Sequence, residues 1–140
     1  MKKLTTLFSL FLITSLFIFS GCEETGDVNP DQDPRDAFVG EWSCNEVPAK
    51  RSSYRVNIQH DSGNSSQVLL FNFGLLGNSV SAYGIVAGDN VSVPLQDVDD
   101  VWSVSGQGEM VDDETIEWTY TLDDGADRID YIATFTLVEK

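Results

Sequence analysis

Ile116-Glu117-Trp118-Thr119-Tyr120-Thr121-Leu122 alternates apolar and polar side chains without a break. Successive side chains of an extended strand project to opposite faces, so Ile116, Trp118, Tyr120 and Leu122 share a buried face while Glu117, Thr119 and Thr121 meet water. The same period of two runs outward in both directions. Towards the C-terminus, turn residues 123–127 lead to Ile129, Tyr131, Ala133, Phe135 and Leu137 on one face. Towards the N-terminus lie an acidic turn at 112–114 and a run at 101–110 with Gly106 and Gly108, where a curving sheet bends. Before these come a short run at 91–95, in which Pro94 predicts an edge or a bulge, and a hairpin turn at 87–90. Further back are runs at 79–86, 67–73 and 54–60, with a loop at 74–78 and a turn at 61–64. In the first run, Phe38, Gly40, Trp42 and Cys44 alternate with Val39, Glu41, Ser43 and Asn45. No window of about a dozen residues keeps a helical period. Eight short strands at hairpin spacing predict one all-β domain over residues 37–140, an eight-stranded antiparallel up-and-down barrel, with a β-sandwich as the alternative.

The chain ahead of this domain has a different character. Lys2 and Lys3 precede an apolar run of 13 residues, 7–19, ending in small residues. That is the plan of a secretory signal, and it is short of the roughly 20 residues that span a bilayer. Phe19-Ser20-Gly21-Cys22 resembles the lipobox of bacterial lipoproteins, with Phe19 where Leu is usual. The resemblance implies that residues 1–21 are removed and that Cys22 becomes a lipid-modified N-terminus. Two or more acyl chains hold a protein firmly to a membrane, each buried methylene contributing about 0.8 kcal/mol. Cys44 is then left without a cysteine partner in the chain, and no disulfide framework is expected. Residues 22–36 are acidic, contain Pro30 and Pro34, and carry almost nothing apolar, so they are expected to form a disordered tether. Acids directly after the cysteine also resemble the export signal of lipoproteins sent to the outer surface of some Gram-negative bacteria.

The net charge is −15 for the whole chain and −17 once residues 1–21 are gone. Such acidity repels phosphate backbones, so nucleic acid is not an expected partner, and it serves solubility at a cell surface. The alternating acids Asp27, Asn29, Asp31 and Asp33 do not make a calcium loop, because the turn glycine is missing and the twelfth position is Phe38. The acidic groups at 97–100, 112–114 and 123–124 fall in turns, where Asp caps its own backbone; three such loops meeting at one barrel end have the oxygen chemistry for Ca²⁺.

Catalytic chemistry is poorly supplied. His60 is the single histidine, and its place at a strand end fits a rim or packing residue better than a general base. Cys44 shares a face with Trp42 and reads as a small buried apolar residue. Neither a catalytic set, a metal site nor a cofactor is expected. The aromatic residues are more informative. An eight-stranded barrel is just wide enough to be filled by its own side chains or to hold one small ligand. In the first case the rings fill it. In the second, Tyr54, His60, Asn72, Tyr83, Gln96 and Trp102 line an open mouth that offers apolar faces with a few polar contacts.

Gly40-Glu41-Trp42 resembles the Gly-x-Trp that opens lipocalins. The order Gly40-Glu41-Trp42, Asn72-Phe73, Pro94-Leu95-Gln96, Gly106-Gln107-Gly108, Tyr120-Thr121 and Asp124-Gly125 is similar to that of small lipocalin-like lipoproteins of Gram-negative cell surfaces. The resemblance implies a barrel closed at one end by Gly40 and Trp42, with Arg128 as the candidate for the arginine that packs near the tryptophan. The Thr-Asp-Tyr motif of true lipocalins is absent. Together these features predict an extracytoplasmic, non-catalytic binding or interaction module, anchored through Cys22 to a membrane, the outer membrane in this reading, and surface-exposed. Its partner is a small ligand at the barrel mouth or, alternatively, a surface protein that contacts the outer wall of a filled barrel.

Overall fold

A computed structural model describes residues 32–48 and 53–140. Cys22, the signal segment and the tether up to residue 31 lie outside the described residues. Eight strands, β1 (Gly40–Val47), β2 (Tyr54–His60), β3 (Gln67–Phe71), β4 (Ser81–Ala87), β5 (Asn90–Asp97), β6 (Ser103–Asp112), β7 (Thr115–Asp123) and β8 (Arg128–Glu139), form a closed barrel in sequence order. Every neighbouring pair is antiparallel, and β1 closes on β8 with Trp42 opposite Leu137 and Cys44 opposite Phe135. This is the up-and-down, lipocalin-like barrel, not the sandwich. Closure satisfies the backbone groups that an open sheet leaves at its edges.

Alternation does what the sequence predicts. Ile116, Trp118, Tyr120 and Leu122 on β7 and Tyr131, Ala133 and Phe135 on β8 are buried, and their neighbours face water. Gly106 and Gly108 do not interrupt the β6–β7 ladder. At Gly108 a Cβ atom would lie 2.6 Å from the Trp118 ring, so the glycine is where the indole crosses the neighbouring strand. Pro94 sits at a register shift between Val93 and Gln96, which is the bulge expected of it.

The antiparallel order gives the barrel two ends. The lower end carries the start of β1, the β2–β3, β4–β5 and β6–β7 turns and the end of β8. It is closed by residues assigned above to the tether: Pro34–Ala37 form a 3-10 helix capped by Asp33, so the chain is ordered from at least Gln32. Proline favours a first helical turn because its fixed φ suits it and its missing N–H has no partner there anyway. The arginine of this helix, Arg35, is buried and donates from one nitrogen to the carbonyls of Asp61, Asn64 and Gln67 at 2.9–3.1 Å. Beneath it Trp42 is fully buried and its indole N–H donates to the Phe38 carbonyl at 2.8 Å. At Gly40, with φ +147°, a Cβ atom would lie 2.6 Å from the Glu139 carbonyl, so the β1–β8 seam closes only over glycine.

At the upper end the third run is shorter than its pattern predicts. β3 stops at Phe71, because Asn72 takes a left-handed conformation with φ 60° and a 3-10 turn, Phe73–Leu75, follows. The Asn72 side chain fixes this bend, accepting from Gly77 N at 2.8 Å and donating to the Arg55 carbonyl at 2.7 Å. Phe73 is thereby turned into the barrel, with its ring centroid 5.0 Å from Trp118, 4.7 Å from Tyr120 and 6.2 Å from Phe135. Truncating such a buried ring costs about 3–5 kcal/mol, whereas changes at exposed sites stay within about 0.5 kcal/mol. Urea denaturation of Phe73→Ala is expected to show the larger loss and Leu95→Ala, at a residue 76% exposed, the smaller.

Candidate functional site

The six residues expected to line a mouth do not meet in one. Tyr54 opens β2 and points into the core. Asn72 is spent on the bend before Phe73. Tyr83 faces outward on β4, and Gln96 stitches to its backbone, accepting from Tyr83 N at 2.9 Å and donating to Tyr83 O at 2.8 Å. That amide replaces a strand ladder that runs only between Ile85–Ala87 and Asn90–Ser92. Trp102 packs half-buried against the core from the β5–β6 connection. His60 stands at the lower end, its side chain 41% exposed, because β2 runs downward from Tyr54. Among the described residues, a crevice near the upper end is bounded by Leu70, Phe73, Leu76, Val80, Ala82, Val98 and Val104 and is too narrow for a water molecule. Arg128 is not the closing arginine. It begins β8 at the upper end, with its side chain 67% exposed and 4.0 Å from Asp130, while Trp42 lies at the other end beneath Arg35.

The acidic loops divide between the ends. Asp97, Asp99, Asp100 and Asp123 border one cleft at the upper end, and 112–114 turns at the lower end. Their carboxylates serve as turn caps: Asp99 accepts from Val101 N and Trp102 N, and Asp124 from Ala126 N and Asp127 N, which holds the Asp124 carboxyl below its ordinary range.

Inside the barrel, near the upper end, lies a polar group whose inward place follows from strand parity alone. Glu46 continues the inward parity of Trp42 and Cys44 and is 5% exposed. One of its oxygens, Oε2, accepts from the Tyr54 hydroxyl at 2.8 Å and from the Tyr120 hydroxyl, and the two hydroxyls are 3.3 Å apart. Tyr120 stacks on Tyr131 with centroids 5.1 Å apart. Burial is the main cause that pushes the Tyr54 and Tyr120 phenols far above the ordinary tyrosine range, so both remain hydrogen-bond donors. The second oxygen, Oε1, has no hydrogen-bond partner among the described residues. The arrangement ties β1, β2 and β7 together.

The outer wall is more open. A groove of about 700 Å³ crosses β5 to β8, floored by Ser92, Gln107, Thr119 and Thr121 and flanked by Asp130 and the exposed Ile132. A shallower depression follows it past Glu109, Glu117 and Thr134. No family model matches the chain, and no curated protein matches its sequence.

Leaving a buried acceptor short of a donor costs about 1–3 kcal/mol. Tyr120→Phe removes one of the two donors to Glu46, and the expected loss in urea denaturation is of that size, with the barrel's circular dichroism retained.

Proposed function

We propose that the protein is a non-catalytic interaction module of the cell envelope, held to the outer membrane by lipid on Cys22, that recognises a surface partner protein through the outside of its barrel. The observation that carries this reading is Phe73. With its ring among Trp118, Tyr120 and Phe135, the interior is occupied by the chain's own side chains, and the crevice left beside it admits no water. A filled barrel supports recognition at the wall over a small ligand at the mouth. The groove over β5 to β8, of about 700 Å³, is a concave surface open to a partner, and Ile132, 66% exposed, gives it an apolar anchor among hydroxyl and amide groups.

The anchoring half rests on the lipobox resemblance and on where the chain enters the barrel. The segment from Cys22 to Asp33 can span at most about 40 Å when fully extended. The described chain enters the barrel at the lower end, through the 3-10 helix capped by Asp33. The strongly negative charge and the similarity to lipoproteins of Gram-negative surfaces support an extracytoplasmic, surface-exposed position.

Two arms of one experiment in intact cells test the two halves. A photo-crosslinking residue at Thr119 is expected to capture a defined protein, and Ile132→Lys to abolish that capture at unchanged expression. Cys22→Ser is expected to release the protein from membranes. An absence of any adduct overturns the wall reading, and continued membrane attachment of the serine variant overturns the anchor.

A further inference from the structure

At the lower end, three side chains from two elements converge on one point. The imidazole Nε2 of His60, at the end of β2, lies 2.9 Å from Asp36 Oδ1 and 4.0 Å from Asp33 Oδ2. All three ligand atoms fall within 4.8 Å of one another, and among the described residues no other set of three histidine, cysteine or carboxylate groups comes this close. We propose that Asp33, Asp36 and His60 form a binding site for one divalent transition-metal ion, of which zinc is the representative.

The geometry fits the chemistry of such an ion. Zinc binds imidazole nitrogen and carboxylate oxygen at about 2.0–2.2 Å, which in a tetrahedral site sets neighbouring ligand atoms roughly 3.3 Å apart. The separations of 2.9 and 4.0 Å lie either side of that value, so small rotations of half-exposed side chains complete the set. One nitrogen and two oxygens form a borderline donor set, suited to zinc or copper more than to calcium or magnesium, which prefer oxygen alone. Exposure on the outer side leaves the fourth position to water.

Arg35 is the obvious objection, because its guanidinium engages both oxygens of Asp33, with Nε at 2.9 and 3.0 Å. It acts here as a positioning group. The hydrogen bonds from Arg35 fix the direction of the Asp33 carboxylate. Arg35 donates to Oδ1 from its backbone N and Nε and to Oδ2 from Nε and Nη2, so an ion bound at Oδ2 takes the place of one of the two bonds that Arg35 makes to that oxygen. Metal-bound carboxylates are commonly held by such outer-shell donors. The imidazole Nε2 lies 2.9 Å from Asp36 Oδ1, and a neutral ring ligates a metal through the Nε2 lone pair while Nδ1 carries the proton. The net charge of −15 concentrates cations around the barrel. An ion here clamps the 3-10 helix onto the end of β2.

The purified full-length protein, titrated with Zn²⁺ against a chromogenic chelator, is expected to bind one ion saturably. His60→Ala and Asp36→Asn are each expected to weaken binding about 10-fold or more, whereas Asp127→Asn, at the opposite end, leaves it unchanged. Saturating Zn²⁺ is expected to raise the thermal midpoint of the wild type and of Asp127→Asn but not of His60→Ala. Circular dichroism identifies any variant that fails to fold, and the remaining ligand variant then decides. Absence of saturable binding, or wild-type affinity in the folded ligand variants, overturns the proposal. So does equal stabilisation by Ca²⁺ that survives His60→Ala, since that reports carboxylates acting without the imidazole.

Discussion

A closed sheet of eight strands encloses a space about as wide as its own side chains. In this barrel the last of that space is taken by one ring from outside the strands. Phe73 reaches the interior only because Asn72 leaves the extended conformation and Gly74 follows it into the left-handed region. Burying the ring removes the empty mouth that an eight-stranded barrel can otherwise offer. It also completes an aromatic cluster in which Trp118, Tyr120, Phe135 and Phe73 touch edge to face or tilted. Such geometry adds about 0.5–1.5 kcal/mol per pair beyond area burial. The rest of the reading depends on this packing, because a filled interior moves recognition to the outside.

The two ends are built by different means. The lower end is sealed by residues just before β1: Arg35 reaches three carbonyls of the β2–β3 turn, and Phe38 and Trp42 fill the floor beneath it. One guanidinium satisfies three carbonyls there and is itself oriented by Asp33. The upper end is sealed by the 3-10 turn, and below that seal Glu46 links β1, β2 and β7 through two phenols. A buried carboxyl with one oxygen unpartnered among the described residues is costly, and such costs are retained where a polar contact fixes one arrangement among several. Glu46 holds Tyr54 and Tyr120 in a single packing.

What was legible in the sequence follows from period and parity. Alternation along 116–122 and 129–137 was enough to place every inward residue of β7 and most of β8, since a strand gives no other choice of face. Parity also put Glu46 inside, two residues after Cys44, and its neighbours could have been sought among the tyrosines. Parity cannot report where a strand stops. Phe73 lies on the same parity as Phe71, so the pattern extended β3 through both, whereas backbone conformation at Asn72 decided the matter. Nor can parity say which end of the barrel a residue occupies until the strand directions are counted. Arg128 and Trp42 are at opposite ends, as are His60 and Tyr54, because alternate connections lie at alternate ends. Arg35 was hidden by composition: its acidic, proline-bearing surroundings resemble a tether, and its role appears only through carbonyls 26 to 32 residues away.

The central claim is that the barrel interior is occupied by its own side chains, and diffraction from crystals held under xenon pressure tests it most directly. Xenon enters dry apolar cavities and is visible in electron density. The packing of Phe73 against Trp118, Tyr120 and Phe135 predicts no xenon peak within the barrel. A xenon atom among those rings, or a bound ligand in protein recovered from its own cells, would contradict it.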